Sequence, residues 1–130
     1  GNATDFGNLT AAVLDMASAH STTRGIRMGG GGNTNVMDYI TMANAGNATD
    51  FGDLVTQYST DKINVVHNGT YAWIHQGYDT LGKKGKITMA TAGNATELAF
   101  AEGPFGGEVG NTVQINYNYS IAKGWIAATG

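Results

Sequence analysis

Residues that could carry out acid–base or nucleophilic chemistry are few and scattered in this sequence. The chain has three histidines, His20, His67 and His75, and no cysteine. A catalytic nucleophile needs a general base within hydrogen-bond reach and a third group that orients this base. No histidine has a carboxylate at a useful fixed spacing, and the Gly-x-Ser-x-Gly motif of serine hydrolases is absent. The sequence therefore predicts no catalytic residues and a protein that is not an enzyme.

Carboxylates do recur, in the segment TDFGD. Asp50 and Asp53 lie three residues apart, and Asp5 repeats the first of them. Calcium prefers several oxygen ligands on a sharp glycine turn, so the segment offers part of a site. The simpler interpretation is that each Asp accepts a hydrogen bond from a nearby backbone N–H. Zinc and EF-hand spacings are absent, and we predict neither a metal nor a cofactor.

Aromatic side chains are the remaining candidates for a binding site. Tyr71, Trp73, Tyr78 and Trp125 could form a surface on which sugar rings stack. The alternative is that these aromatics point inward and fill the core. Tyr71 and Trp73 alternate with other residues in a period of two, which predicts a strand with both rings on one face.

Composition bears on the possible partners. The net charge is −3 and only 13% of residues are charged. The densest basic run is Lys83, Lys84 and Lys86, which is too short for the basic patch that nucleic-acid binding requires. No apolar run approaches the roughly 20 residues of a membrane-spanning helix. We therefore predict no nucleic-acid partner and no membrane span.

A sequence repeat must position all of these residues. The segments GNATDFGNLT, GNATDFGDLV and GNATELAFAE begin at residues 1, 46 and 93, and ITMANAGNAT at 40–49 recurs as ITMATAGNAT at 87–96. The GNAT segments are spaced by 45 and 47 residues and the ITMA segments by 47, and self-similarity at such a spacing indicates a repeat architecture. We call the three GNAT segments, at 1–4, 46–49 and 93–96, GNAT words. The Asn of each word lies in an N-x-S/T sequon, and we interpret it as a turn residue rather than a glycosylation site.

We predict a single repeat domain over residues 1–130. The first repeat spans 1–45 and the second spans 46–92. The third, 93–130, is degenerate and truncated, because it stops before its ITMA strand. We also expect the chain to be processed or to be cut from a longer product, since it begins with Gly1.

Periodicity and glycine content predict an all-β fold. Each repeat is expected to begin with a GNAT turn and to end with an ITMA strand, at 35–43 and at 84–91, and 112–120 also alternates in a period of two. The glycine run at 29–32 is expected to be a tight turn between strands. Segment 9–19 would suit either a strand or a short helix capped by Thr10, and its β-rich counterpart in the second repeat favours the strand.

The repeated segments resemble a known family. GNATDFGDL, together with a Gly-Gly turn and a DYITMA strand, resembles the kelch-like repeats of virion structural proteins from marine bacteriophages, notably cyanophages. The matching parts are residues 46–55, 21–30 and 38–43. The resemblance covers nearly all of the first repeat and much of the second, and it is faint in the third.

The resemblance implies three kelch-like antiparallel β-blades, forming a partial β-propeller. Propellers typically close with four to eight blades, and three would leave open edges that invite pairing. We therefore expect the propeller to be completed by other chains or by a longer parent. The expected partners are other copies of the chain and neighbouring virion proteins, and the expected location is the virion or the extracellular space.

Two functions fit this resemblance. The first is a non-enzymatic structural or decoration protein of the virion, which acts through subunit contacts. The alternative is a receptor- or glycan-binding module of a tail fibre or extracellular adhesin, with a host-surface glycan as partner. A glycosidase would need paired carboxylates across a cleft, and all three glutamates, Glu97, Glu102 and Glu108, lie in the degenerate repeat.

Overall fold

The described part of the chain is all-β, as the sequence predicts. The computed structural model describes residues 1–30, 34–57, 63–76 and 83–98, together with two short strands at 113–114 and 127–128. These residues form strands and connections and include no helix. Within these ranges, no helix is therefore available that could cross a bilayer.

Two four-stranded antiparallel sheets make up most of this structure. Strands that are neighbours along the chain are also neighbours in the sheet, so each sheet is a simple meander. The first sheet contains β1 (Ala17–His20), β2 (Arg24–Met28), β3 (Val36–Thr41) and β4 (Thr49–Asp53). The second contains β5 (Ile63–His67), β6 (Tyr71–Gln76), β7 (Lys83–Thr88) and β8 (Thr96–Glu97). A separate pair joins β9 (Val113–Gln114) to β10 (Ala127–Ala128).

Each sheet extends one strand beyond its ITMA strand. The ITMA strands exist as predicted, but the turn that follows them falls at residues 42–44 and 89–91, just before each GNAT word. The prediction of a turn at GNAT itself was therefore wrong. After the turn the chain runs back along the same sheet, where β4 pairs antiparallel with β3, and β8 with β7. Each sheet is thus completed by residues of the following repeat.

Segment 9–19 is a strand only at its end. β1 begins at Ala17, and residues 9–16 have no regular structure. Asp15 has a φ of 51°, a left-handed conformation that an extended strand does not tolerate. Thr10, considered above as a helix cap, instead hydrogen-bonds to Asp38 of β3. A tertiary contact therefore decides the path of this segment.

The first two residues of the predicted glycine turn, Gly29 and Gly30, directly follow β2. Gly29 and Gly30 have φ values of 62° and 128°, which only glycine adopts easily. The Gly29 N–H donates to the Val36 carbonyl at 3.0 Å, so the two strand ends are joined here. The remainder of the run lies outside the described residues.

The core lies between the two sheets. Cross-strand partners share a face, and in the first sheet the register places Ala19, Ile26, Met28 and Met37 together. In the second sheet the register groups Val65, Ala72, Ile74 and Ile87. All eight belong to one cluster of buried side chains. The two faces therefore pack against each other, and removal of their apolar area from water contributes about 25 cal/mol per Å².

Contacts between the two sheets also involve polar groups. His20 of β1 and the equivalent residue of the second repeat, His67 of β5, have ring centroids 4.7 Å apart. Burial, together with the charge of His20, lowers the pKa of His67. An Arg24 Nη1 also donates to the carbonyl of Met89, just after β7, at 3.2 Å. The first sheet is therefore tied to the second at His67 and at Met89.

The opposite face of the first sheet holds a buried ion pair. Arg27 and Asp38 are cross-strand partners, and two hydrogen bonds of 2.7 and 2.8 Å join the guanidinium to both carboxylate oxygens. The guanidinium also donates to the Gly29 carbonyl. Thr10 donates to the Asp38 carboxylate through both its N–H and its hydroxyl. The ion pair therefore anchors the segment that leads from the first GNAT word.

Two opposing effects act on the pKa of Asp38. Desolvation by burial would raise it, but the hydrogen bonds from Arg27 and Thr10, together with the positive charge of Arg27, outweigh burial. The result is a pKa below the ordinary value of an aspartate, which means that folding favours the ionised carboxylate.

The second repeat fills the same three positions without charge. Thr10, Arg27 and Asp38 correspond to Val55, Ile74 and Gly85. A Cβ added to Gly85 would lie 2.9 Å from Val55 Cγ2, so Val55 covers Gly85 much as Thr10 covers Asp38. One position in the fold therefore holds an ion pair in the first repeat and an apolar contact in the second.

This difference between the repeats can be used to test the ion pair. Asp38→Ala is expected to lower the free energy of unfolding by about 3–5 kcal/mol, because the Arg27 guanidinium stays buried without its carboxylate. The triple variant Thr10→Val/Arg27→Ile/Asp38→Gly copies the second repeat and leaves no unpaired charge, so it should lose much less. Urea unfolding at neutral pH measures both values. Equal losses in the two variants would contradict a role for charge pairing.

The lowered pKa of Asp38 predicts a specific acid sensitivity. Because the folded pKa lies below the unfolded value of about 3.9, the stabilisation is complete above that value and is lost as the pH falls through the folded pKa. The native chain should therefore lose unfolding free energy more steeply than the triple variant between about pH 5 and pH 2. Denaturant titrations across this range measure the two slopes, and parallel curves would refute the assignment.

Candidate functional site: the contact between GNAT words

Backbone hydrogen bonds join each later GNAT word to the residues that follow the preceding word. The Gly46 N–H of the second word donates to the Phe6 carbonyl at 2.7 Å, and the Ala48 N–H donates to the Asn8 carbonyl at 2.8 Å. The side-chain oxygen of Asn47 accepts from the Asn8 N–H at 3.1 Å. The second word therefore lies along residues 6–8, which we call the first acceptor segment.

The third word repeats this arrangement on the second acceptor segment, residues 51–53. The Gly93 N–H donates to the Phe51 carbonyl at 2.6 Å, and the Ala95 N–H donates to the Asp53 carbonyl at 2.8 Å. The side-chain oxygen of Asn94 accepts from the Asp53 N–H at 2.9 Å. The same atoms meet in the same order at both contacts, so word and acceptor segment are two halves of a recurring interface.

A glycine in the middle of each acceptor segment permits this close approach. Gly7 and Gly52 have φ values of 144° and 133°. A Cβ at Gly7 would lie 2.2 Å from the Gly46 oxygen, and one at Gly52 would lie 2.5 Å from the carbonyl carbon of Gly93. The glycines of the GNAT words themselves, Gly46 and Gly93, have open space around them. Only the acceptor glycine is therefore required by the contact.

The carboxylate before each acceptor segment supports this glycine. Asp5 Oδ1 accepts from the Gly7 N–H at 3.1 Å, and Asp50 Oδ1 accepts from the Gly52 N–H at 3.3 Å. This confirms the prediction that these carboxylates bind local backbone N–H groups. In the ranges that the structure describes, His, Cys, Asp and Glu form no group of three that could hold a metal.

The role predicted for the asparagines of the GNAT words was wrong. They were expected to stabilise turns, whereas Asn47 and Asn94 reach across to the preceding repeat. The sequence does contain a signal for this contact, since Gly7 and Gly52 recur at the same place in two repeats. That recurrence alone does not reveal which backbone approaches the glycine.

The structure brings together two of the four predicted ligand-binding aromatics. Tyr71 and Trp73 lie half-buried on the outer face of the second sheet, with ring centroids 5.9 Å apart and planes tilted by 59°. The Lys86 ammonium lies 3.9 Å from the Tyr71 centroid and 6.0 Å from that of Trp73. A cation–π contact therefore already occupies this surface. Tyr78 and Trp125 lie outside the described residues.

The first sheet has the same kind of cation–aromatic contact, but here the cation lies on the second strand of the sheet and the aromatic ring on the third. Arg24 and Tyr39 occupy the positions equivalent to Tyr71 and Lys86, and the guanidinium lies 4.4 Å from the Tyr39 centroid. In the first sheet this face packs against the second sheet. The outer face of the second sheet is therefore equivalent to the face by which the first sheet packs against the second.

Polar substitutions distinguish this outer face from its counterpart. His75 and Lys84 are buried cross-strand partners, and they stand where the first sheet has Met28 and Met37. Burial and then the charge of Lys84 lower the pKa of His75, and burial lowers the pKa of Lys84. The two residues were not predicted as part of a site. Their polarity makes this face less suited to purely apolar stacking than the first.

Comparison with known proteins assigns the chain to no family. It matches no protein-family model, no curated protein and no solved structure. Within the part of the chain that the structure describes, the recurring contact of the GNAT words and the outer aromatic face are the features that bear on function.

The acceptor glycine provides a matched test of the contact. Gly52→Ala is expected to lower the free energy of unfolding by about 1–3 kcal/mol from backbone strain alone, and the overlap with Gly93 adds to this loss. Gly93→Ala introduces the same methyl group into open space and should change stability far less. Thermal and denaturant unfolding of the two variants compare them directly. A Gly52→Ala variant as stable as Gly93→Ala would show that the close approach is unimportant.

Proposed function

We propose that this chain is a non-enzymatic structural or decoration protein of a virus particle. It acts by stacking repeated β-sheets and by presenting their open ends to neighbouring subunits. The observation that carries this proposal is the recurring word contact, in which two backbone N–H groups and one amide side chain join one repeat to the next. An interface that one chain makes twice with the same atoms is suited to extension by further units.

The form of the sheets supports a kelch-like, propeller-type arrangement as part of this proposal. A four-stranded antiparallel meander is the usual form of a propeller blade. The strand that completes each sheet comes from the next repeat, so neighbouring units are linked through a shared edge. The buried apolar faces of the two sheets meet in one cluster, as faces of adjacent blades would.

The setting in a virion rests on the resemblance of GNATDFGDL and DYITMA to phage virion repeats. The described structure is compatible with that setting, because its distinctive contacts are between repeats. Phe51 of the second repeat, for example, belongs to the buried cluster between the two sheets, and its ring meets that of Tyr39 in the first repeat edge-on at 5.9 Å. Such residues serve the stacking of units.

Glycan binding is the second candidate, and the Tyr71–Trp73 pair is the observation in its favour. Two half-buried rings on one outer face could stack against a sugar. Lys86 lies over both rings, so a sugar would first have to displace its ammonium group. The same face is also equivalent to the stacking face of the first sheet. We therefore rank subunit contact above glycan recognition.

Incorporation into particles tests the leading function. Tagged versions of the chain are expressed during infection of the host by the virus that encodes it, and purified particles are analysed by cross-linking mass spectrometry. The native chain and Gly93→Ala should be incorporated and cross-linked to other structural proteins, whereas Gly52→Ala should be depleted at least several-fold. Recovery of the native chain only in the particle-free fraction would refute the proposal.

A third variant separates the two candidate functions. Trp73→Ala particles should contain the chain and should attach to glycan-coated beads as native particles do. If incorporation is normal but attachment is lost, the chain is a glycan-binding module instead.

A further inference from the structure

The turn between β5 and β6 contains the only Asn-Gly pair in the sequence, Asn68 and Gly69. Residues 68–70 are exposed, and the Asn68 N–H closes the turn by donating to the Tyr71 carbonyl at 3.1 Å. Gly69 has a φ of 86°, and a Cβ added there would meet no atom within 4 Å. The peptide bond between the two residues therefore lies in open space.

Two backbone donors hold the side-chain amide of Asn68. Its Oδ1 accepts from the Thr70 N–H at 3.0 Å and from the Tyr71 N–H at 2.8 Å. Paired N–H donors stabilise the negative charge that develops on a carbonyl oxygen when its carbon is attacked. Within the described ranges the Gly69 N–H donates to no acceptor. An activated amide carbon is therefore followed in the chain by an unengaged backbone nitrogen.

The equivalent turn of the first sheet has the same hydrogen bonds but a different residue. Ser21 stands at the position of Asn68. Its N–H donates to the Arg24 carbonyl at 2.9 Å, and its Oγ accepts from the Thr23 and Arg24 N–H groups at 3.2 and 3.0 Å. A hydroxyl thus suffices to form this turn. The amide of Asn68 is therefore not required for folding of the turn, and it adds a chemistry that serine lacks.

We propose that Asn68 and Gly69 form a self-modification site, at which the chain converts Asn68 into isoaspartate and aspartate. Asparagine followed by glycine is suited to this reaction, because no Cβ shields the attacking nitrogen and the glycine backbone can rotate toward the amide. The reaction needs only the chain and water. The inference therefore goes beyond the proposed structural function and is independent of it.

The bonds that change lie within these two residues. The Gly69 nitrogen forms a bond to Cγ of Asn68 and gives up its proton to water. Negative charge then develops on Oδ1, where the Thr70 and Tyr71 N–H groups already lie. The bond from Cγ to Nδ2 breaks, and this nitrogen takes up a proton and leaves as ammonia. Water opens the resulting succinimide ring at either carbonyl, which gives isoaspartate or aspartate.

Isoaspartate changes the turn through its backbone. It adds a methylene to the main chain and moves the carboxylate onto Cα, so the acceptor for the Thr70 and Tyr71 N–H groups is displaced. The Thr70 carbonyl accepts from the Met89 N–H at 2.9 Å, and the Met89 carbonyl accepts from Arg24 at 3.2 Å. The turn is thereby linked to β2 of the first sheet. Formation of isoaspartate is expected to loosen this tie between the sheets.

Peptide mapping of the full chain measures the reaction. The chain is incubated in mildly alkaline buffer, and mass spectrometry follows the conversion of each asparagine with time. Asn68 should react at least roughly tenfold faster than Asn44, because Asn44 is also exposed after a strand but is followed by Ala45. Asn68→Ser copies the first turn and should keep the fold while abolishing ammonia release from this site. Equal rates at Asn68 and Asn44 would overturn the proposal.

Unfolding tests the contribution of the turn to the reaction. In guanidinium chloride the two N–H donors no longer hold Oδ1, whereas the sequence is unchanged. The native chain should therefore convert Asn68 at least as fast as the unfolded chain. A rate that is several-fold lower in the native chain would contradict the proposal, because the turn would then protect the asparagine.

Hydrogen exchange tests the link to the first sheet. The isoaspartate form is separated from the unmodified chain by ion exchange, and exchange of the Met89 amide is compared in the two forms. Met89 should lose protection in the isoaspartate form, and the melting temperature should fall. Asn68→Asp carries the same charge on a normal backbone and should keep this protection. Unchanged protection in the isoaspartate form would refute the link, as would an equal loss in Asn68→Asp.

Discussion

The close approach of one backbone to another at a glycine is the constraint on which the rest of this structure depends. At Gly7 and Gly52 the next repeat comes nearer than any side chain would allow. That proximity lets the GNAT word donate two N–H groups to the acceptor segment. Because the third word continues directly into β8, its contact with β4 fixes the second sheet relative to the first. The apolar faces of the two sheets then meet in one cluster, and His20 contacts His67.

Although the backbone contact is the same in both repeats, the side chains at equivalent positions differ in charge and polarity. The ion pair of Arg27 and Asp38 is replaced by Ile74 and Gly85, and the cation–aromatic contact of Arg24 with Tyr39 is reversed in Tyr71 with Lys86. Both exchanges occur at direct or diagonal cross-strand positions of neighbouring strands, and Val55 fills the space over Gly85. The backbone contact is what stays constant, because it uses atoms that every residue has and only the acceptor glycine is irreplaceable.

Much of the fold could be predicted from the sequence. The alternation of Tyr71, Trp73 and His75 with Ala72, Ile74 and Gln76 predicted β6 correctly, since alternation is a local signal. The recurring ITMA segments predicted β3 and β7, because a repeated sequence repeats its local structure. The contact between words could not be predicted, because it joins residues about 40 positions apart through backbone atoms that are the same in any sequence. The prediction of a strand over 9–19 was wrong for most of the segment for a related reason, because Thr10 bonds to Asp38, which is distant in sequence. The aromatic pair was identified from its spacing, but the lysine that covers it was not.

The acceptor glycine also bears on how many GNAT words can be joined in series. In the third repeat the corresponding position is Ala99, outside the described residues, with Leu98 and Phe100 on either side. At the two described contacts a methyl group at this position would collide with the incoming backbone. A glycine codon becomes an alanine codon through a single base change. At a described contact such a change would block the next GNAT word, so each further word in a series depends on a single codon of the unit before it.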